Sequence, residues 1–395
     1  MHPLLASLAA GLDERSAAGR ARRRPLVAGR SQGTTRVVVD GDERIAFCSN
    51  DYLGLADHPA VVDACMAALG RWGVGSGASH LVSGHTAEHH ALEQELAALT
   101  GRPRAVLFST GYMANLAVVR ALAGRGDLVL EDRLNHASLI DAGLASGARF
   151  RRYPHADAAA VEARLAASSA APRKLVVTDG VFSMDGDVAP LAALASACAR
   201  HGALLHVDDA HGFGVLGPRG LGSVEAAGLD VDAVPSLMCT FGKALGTFGA
   251  FVAGPEALVE SLAQTAREHV YTTAVPPAFA AATRAALAVA RDEPWRRERV
   301  LRLAAEFRAG AEALGLRLAA SQTPIQPVIA GDERAALAMS AALFDAGFFV
   351  PAIRPPTVPA GSSRLRFTFS AAHRDEDVER LLEALATLAR RGVPA

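Results

Sequence analysis

KLVVTDGVFSMDGDVAPLAALASACARHGALLHVDDAHG, residues 174–212, contains a whole strand–helix–strand unit. Lys174–Thr178 is a short run of apolar and β-branched residues, the pattern of a buried strand. Leu191–Arg200, behind Pro190, is rich in Ala and Leu and suits a helix. Ala203–Val207 is the next apolar run. Strands joined through a helix usually pair in parallel, because a hairpin connection is too short for that geometry.

The alternation extends on both sides. Ala105–Ser109 reads as a strand and is followed by a helix from Tyr112 to Leu122. Asp127–Leu130, Phe150–Tyr153, Val234–Thr240 and Phe248–Ala253 read as further strands. The spacing predicts an α/β fold with a mostly parallel sheet. Beyond Thr273-Ala-Val-Pro-Pro277 the character changes. A long helical stretch, Ala278–Leu314, is interrupted near Pro294. Gln326–Ala330 (strand), Arg334–Ala346 (helix), Phe348–Ile353 (strand), Arg364–Phe369 (strand) and Glu376–Arg391 (helix) complete a smaller α+β C-terminal domain. Residues 1–25 read as a helix ending in Arg20, Arg22, Arg23 and Arg24 and stopped by Pro25, and Val37–Val39 with Arg44–Phe47 as a hairpin around Asp40-Gly41. The expected division is an N-terminal segment over residues 1–45, a large α/β domain over 46–285 and the small domain over 286–395.

Composition removes several classes. The chain has 395 residues, half of them apolar and 21% charged, so it can bury a core and is not a disordered polypeptide. Its net charge of −1 lacks the basic excess of a general nucleic-acid binder. The longest uncharged stretch, Trp72–Ala87, is rich in Gly, Ser and His and falls short of the ~18 residues of a membrane span. Leu4–Leu12 has no basic segment ahead of it and runs into Asp13, Glu14 and Arg15, unlike a secretory signal. Cys48, Cys65, Cys198 and Cys239 are far apart, which suits small buried hydrophobes in a reducing cytoplasm.

One count points to chemistry. Of 40 basic residues only Lys174 and Lys243 are lysines. Arginine stays protonated and cannot form a Schiff base, whereas a lysine amine can. Lys243 follows a strand within Thr240-Phe-Gly-Lys-Ala-Leu-Gly246, where desolvation would lower its pKa. Lys174 opens a strand beside Arg173 and suits a surface position. Phe108-Ser-Thr-Gly111-Tyr112 takes a strand into a helix start whose free N–H groups can hold a phosphate. His206-Val-Asp208-Asp209-Ala-His211 puts two acids and a histidine at a strand end, where burial costs several kcal/mol unless partners are supplied. A phosphate cup, a strand-end acid and an activated lysine together fit pyridoxal 5′-phosphate. Two patterns are decoys. His85-Thr-Ala-Glu88-His89 matches a zinc-hydrolase string but reads better as a helix start, and Gly73-Val-Gly75-Ser-Gly77 follows a helix, not the strand a dinucleotide loop needs.

FSTGYMAN, DRLNHASL, TDGVFSMDGD, HVDDAHGFGV and TFGKALG, in that order, resemble the fold-type I pyridoxal-phosphate-dependent α-oxoamine synthases, from about Arg22 to Leu388. SNDYLGL, YTTAVPP and AIRPPTVPAGSSRLRFT are most similar to the branch that condenses L-alanine with a pimeloyl thioester of coenzyme A or acyl carrier protein. Sister enzymes take glycine and a short acyl-CoA. A lyase or aldolase on the same fold, a zinc hydrolase and a non-catalytic binding module are the other classes weighed. The resemblance implies that Lys243 binds the cofactor covalently, that Asp208 meets its ring nitrogen, and that His211, with Ser183, meets its phenolic oxygen. It implies that His136 stacks on the ring, and that Gly111, Tyr112 and Thr240 hold the phosphate. Thr272 would add a contact from the partner subunit of a homodimer with its sites at the interface. Asn50 and Arg354 would take the amino-acid carboxylate, and Arg22 and Thr357 the acyl substrate. Asp179 stands where the family often has Glu and Thr272 where it has Ser. Phe213 stands where it often has Thr, and is expected to reshape the acyl pocket.

Overall fold

The computed structural model describes residues 2–17 and 20–390. An antiparallel ribbon of β1 (Val27–Arg30), β2 (Arg36–Val39) and β3 (Asp42–Ala46) comes first. The central sheet follows: β4 (Arg104–Phe108), β5 (Leu128–Asp132), β6 (Arg149–Tyr153), β7 (Lys174–Asp179), β8 (Leu204–Asp208), β9 (Ser236–Thr240) and β10 (Ala250–Gly254). Its order is β4-β10-β9-β8-β7-β5-β6. The pairs from β9 through β6 are parallel, and only β10 runs antiparallel to its neighbours. Helices cover both faces, so β5 and β10 are buried throughout and β7 and β8 almost so, which is why these strands are continuous apolar runs without alternation.

The C-terminal sheet is β11 (Ile325–Gly331), β14 (Ser363–Thr368) and β13 (Ala352–Ile353), in that order. The expected single strand over 348–353 is two. β12 (Phe348–Phe349) pairs in parallel with β3, whereas β13 pairs with β14. Pro351, which has no N–H and a fixed φ, separates them. The long helical stretch is broken at Pro294 into Pro277–Asp292 and Trp295–Ala313. Phe47, Phe307, Phe367 and Phe369 pack ring on ring, with centroids 4.9–5.5 Å apart, and join the N-terminal ribbon, the second of these helices and β14.

The first helix spans Pro3–Ala17 and does not continue to residue 25. The arginines beyond it are drawn to separate elements: Arg20 to Glu333 (3.3 Å), Arg22 to Thr357 (3.1 Å) and Arg23 to Asp40 (3.1 Å). One helical rod could not reach all three. The closing helix is Asp375–Arg390, and Arg391 of the expected span lies outside the described residues.

Glu131 on β5 is completely buried, and among the described residues neither of its carboxyl oxygens makes a hydrogen bond of good geometry, although the Asn135 side chain lies near enough to oppose the effect of burial. Burial pushes its pKa from 4.5 to about 8. The unfolded chain loses this proton above about pH 4.5, the folded chain only above about pH 8. Stability therefore falls as pH rises between those values and levels off above them. Glu131→Gln has no proton to lose. Its advantage over the parent protein should grow from pH 5 to pH 8, reaching about 2 °C or more in melting temperature. An advantage independent of pH would show that the carboxyl group does not stay protonated in the fold.

Candidate active site

The carboxyl ends of β5, β7, β8 and β9 converge on one cavity of about 120 Å³. Chain order reverses at β5, with β6 on one side and β7 on the other, and such a switch point is where open α/β sheets hold ligands. Gly111, Tyr112, His136, Asp179, Ser183, Asp208, His211, Thr240 and Lys243 all line the cavity. Eight of these nine are residues singled out from the sequence as site residues; Asp179 is the ninth.

Lys243 sits in a tight turn after β9. The Gly246 N–H donates to the Lys243 carbonyl (2.9 Å), and Gly246 has φ +65°, with no room for a Cβ, which would lie 2.3 Å from Ala56 N. Burial lowers the pKa of the Lys243 amine, although Asp208 and Asp179 nearby oppose the shift. Asp208 and Asp179 are cross-strand neighbours on β8 and β7. Burial, then the charge of Asp208, push Asp179 well above the carboxylate range. Its Oδ2 accepts the His136 N–H (2.9 Å). Asp208 Oδ1 accepts the Ala210 N–H (3.0 Å) and Oδ2 the Asn115 amide (2.7 Å).

His136 caps the helix Ala137–Ala145, its Nδ1 bonded to the Ser138 hydroxyl (2.8 Å), and burial lowers its pKa. His211 is buried and held neutral by desolvation and then by Lys243, and its Nδ1 is 2.7 Å from the Tyr52 hydroxyl. The helix Gly111–Leu122 begins at the cavity, its Thr110 cap taking the Met113 N–H (3.2 Å). The Gly111 and Tyr112 N–H groups precede the first intrahelical bond and face no backbone acceptor of their own helix. A Cβ at position 111 would press on Met238 Cε at 3.3 Å, so glycine keeps this edge open. The Thr240 hydroxyl donates to the Gly249 carbonyl (2.9 Å).

The remaining candidates lie outside this cavity. Asn50 is joined to it through Arg366, whose Nη1 donates to Asn50 Oδ1 (3.2 Å) while Nε donates to the Ser183 carbonyl. Arg22 meets Thr357, and the Thr357 N–H donates to the Arg354 carbonyl (3.1 Å), so these three form a separate cluster. Thr272 belongs to a segment anchored by Ala274 N–H to Ala78 O (3.0 Å) and His89 Nε2 to Val275 O (2.6 Å). Phe213 is 2% exposed and packs edge-on against Phe251; it is not among the side chains that line this cavity. Lys174 donates to the His201 carbonyl at a helix end (2.9 Å). In the zinc-like string, His89 completes a capping box with Thr86, and Glu88 pairs with Arg284 (2.9 Å).

The aminotransferase class I and II family model matches residues 42–385. An 8-amino-7-oxononanoate synthase of Cellvibrio japonicus is 60% identical over 379 residues, 96% of this chain and 94% of its own length. One from Methylococcus capsulatus is 64% identical over 352 residues, 89% of this chain and 91% of its own. The chain belongs to the 8-amino-7-oxononanoate synthase family. Among solved structures, a serine palmitoyltransferase of S. paucimobilis with bound PLP superposes with a TM-score of 0.92 at 32% identity, covering 98% of this chain and 97% of that one. An 8-amino-7-oxononanoate synthase of Francisella tularensis gives 0.77 at 29% identity, covering 88% and 98%. The fold of this family member is fold-type I, as expected.

Ser138 also lines the cavity, and Arg366, Tyr52 and Asn115 bond to its lining residues Ser183, His211 and Asp208; none of the four was singled out from the sequence. Arg366 had a signal. SRLRFT places Arg364 and Arg366 two apart on a strand, hence on one face, and both are at most 9% exposed. Arginines on a buried strand face require partners.

Asp209, fully buried behind this site, accepts the Ser223 N–H (2.6 Å) and hydroxyl (2.8 Å). A Cβ at Gly212 would meet its Oδ1 at 2.1 Å. Gly212→Ala should lower unfolding free energy by about 2 kcal/mol or more, read from denaturant midpoints. An unchanged midpoint would mean that Asp209 can move without cost.

Proposed function

We propose that this enzyme condenses L-alanine with a pimeloyl thioester, releasing CO2 and the thiol and forming 8-amino-7-oxononanoate. The observation that carries this reading is the 57–64% identity to 8-amino-7-oxononanoate synthases over nearly the whole chain, joined to a cavity holding Lys243 against Asp208. It is a pyridoxal-phosphate-dependent acyltransferase. The residues present fit that cofactor: an amine with lowered basicity, an acid on the cavity floor and free N–H groups at a helix start. Bound there, pyridoxal phosphate supplies an electron-accepting ring that stabilises negative charge on the amino-acid Cα.

Lys243 would hold the cofactor aldehyde and, once displaced by the substrate amine, take the Cα proton. Desolvation lowers the basicity of its amine. Asp208 would hold the ring-nitrogen proton, His136 would cover the ring, and His211 with Ser183 would meet the phenolic oxygen. Gly111, Tyr112 and Thr240 would hold the phosphate; for Thr240 this requires sharing a hydroxyl that already donates to Gly249. Arg366, with Asn50, would receive the alanine carboxylate. Its guanidinium stands close enough to Lys243 and His211 to bear on both, and its bonds to Asn50 and the Ser183 carbonyl fix the guanidinium plane. The Arg354, Arg22 and Thr357 cluster would then face the acyl chain, so Arg354 changes role from carboxylate partner to acyl contact.

The assembly is a homodimer in this reading, with Thr272 serving the partner's site. Val74, Val82 and Tyr271 are 74–83% exposed on neighbouring segments, an apolar surface suited to a second copy. No described helix is long and apolar enough to cross a membrane. The four cysteines are all free, and a cytoplasmic location suits them.

Mass analysis of the product from L-alanine and pimeloyl thioester tests the reaction; turnover with glycine and acetyl-CoA in its place would overturn it. Lys243→Ala should lower the rate by about a thousandfold or more. Arg366→Ala should raise the KM for L-alanine about tenfold or more. Unchanged KM there, with a raised KM in Arg354→Ala, would return the carboxylate to Arg354.

A further inference from the structure

Behind Asp208 lies a chain of buried polar side chains joined by hydrogen bonds. Asn115, Ser138, His206 and Ser236 are each at most 1% exposed. Asn115 Nδ2 lies 2.7 Å from Asp208 Oδ2 and 2.8 Å from the Ser138 hydroxyl. A carboxylate can only accept, so the nitrogen of the amide faces Asp208 and its oxygen faces the other way. That oxygen is 3.3 Å from His206 Nε2, which must therefore carry the proton. His206 Nδ1 is then an acceptor, served by the Ser236 hydroxyl at 2.8 Å. Burial lowers the pKa of His206 to about 4, in keeping with a neutral ring that donates at one nitrogen and accepts at the other. On the opposite side, the Ser138 hydroxyl receives from Asn115 and so gives its proton to His136 Nδ1 (2.8 Å).

The hydrogen bonds run in one direction: Ser236 to His206, His206 to Asn115, Asn115 to both Asp208 and Ser138, Ser138 to His136. Asn115 is the branch point. It lies on the helix that begins at the cavity with Gly111, so the same rigid element presents the free N–H groups and the amide. With Ala210 N–H holding Oδ1 and Asn115 holding Oδ2, the Asp208 carboxylate plane has no freedom to turn.

We infer that Asn115 is a positioning residue: its amide, held from behind by His206, aims the Asp208 carboxylate at the ring nitrogen of the bound cofactor. The inference rests on the reading that Asp208 meets that nitrogen. A hydrogen bond to a charged group is worth enough that its loss is read as roughly a tenfold change in an equilibrium constant.

The test compares two probes on apoprotein, pyridoxal 5′-phosphate and its carbocyclic analogue with CH in place of the ring nitrogen, each titrated by quenching of tryptophan fluorescence. In the parent protein the natural cofactor should bind more tightly than the analogue. Asn115→Ala should weaken pyridoxal phosphate about tenfold and leave the analogue within about twofold, so the preference shrinks. Damage to the fold alone would weaken both equally, and that result, or an unchanged preference, overturns the inference. Asn115→Ser reads the same ratio if the alanine variant does not fold. Asp208→Ala separates the layers. If it removes the preference and Asn115→Ala does not, the inference alone fails; if Asp208→Ala keeps the preference, the underlying reading fails with it.

Discussion

Asp179 and Asp208 end neighbouring parallel strands in register, so the sheet itself presses two carboxyl groups together in a buried place. Two bare charges there would repel in a medium of low dielectric, at a cost of several kcal/mol, on the order estimated for buried ions. The surroundings answer this repulsion residue by residue. Asp179 is pushed towards its neutral form and takes the His136 N–H. Asp208 takes one donor on each oxygen and has Lys243 as its nearby cation. The lysine is destabilised by burial and the acids by each other, so each makes the other tolerable. A cationic ring nitrogen placed against Asp208 would be a further stabilising partner, and the lysine would then be free to act as a neutral amine.

The topology decides which residues take part. Only the carboxyl ends of β5, β7, β8 and β9 open on the cavity, and the reversal of strand order at β5 leaves a gap between crossovers there. Side chains with chemistry elsewhere have been absorbed into structure. His89 ties a helix start to Val275, Lys174 ends a helix, and His155 spans Asp132 and Asp187. For His155, burial alone would lower the pKa, but the two carboxylates overcome it and raise it to about 10. Its contribution to stability is therefore present below its ordinary value of 6.5 and is lost as pH rises through about 10.

Lys243 was legible because a chain with 38 arginines keeps only two lysines, and only one of them follows a strand among glycines. Asp208 and His211 were legible because acids and a histidine directly after an apolar strand need a reason to be there. Arg366 was legible only as a buried-strand arginine that needs a partner; its place beside Asn50 depends on β14 crossing near the turn that carries Asn50, a pairing invisible in linear order. The same limit explains the arginines after the first helix, whose partners lie 17 to more than 300 residues away. Phe213 depends on long-range packing in the same way. Its position in the family motif says nothing of its rotamer, and Phe251 on β10 offers a close-packed partner in the core.

The polar lining of this site is costly, and the cost is distributed unevenly. Asp209, raised to about 6 by burial, is satisfied by Ser223 and enclosed by Gly180, Gly212 and Gly222, where any Cβ would intrude. Asn115 and His206 are fully bonded, so their burial fixes geometry without leaving an orphan. Glu131, on the strand that leads to His136, lacks such partners. Where a buried acid or amide borders the cavity, the fold supplies a donor for it. Glu131, packed under Gly143 and Phe150 away from the cavity lining, is tolerated in neutral form instead. Orientation matters for the groups that face a ligand and not for one that only fills space, and the hydrogen bonds are distributed accordingly.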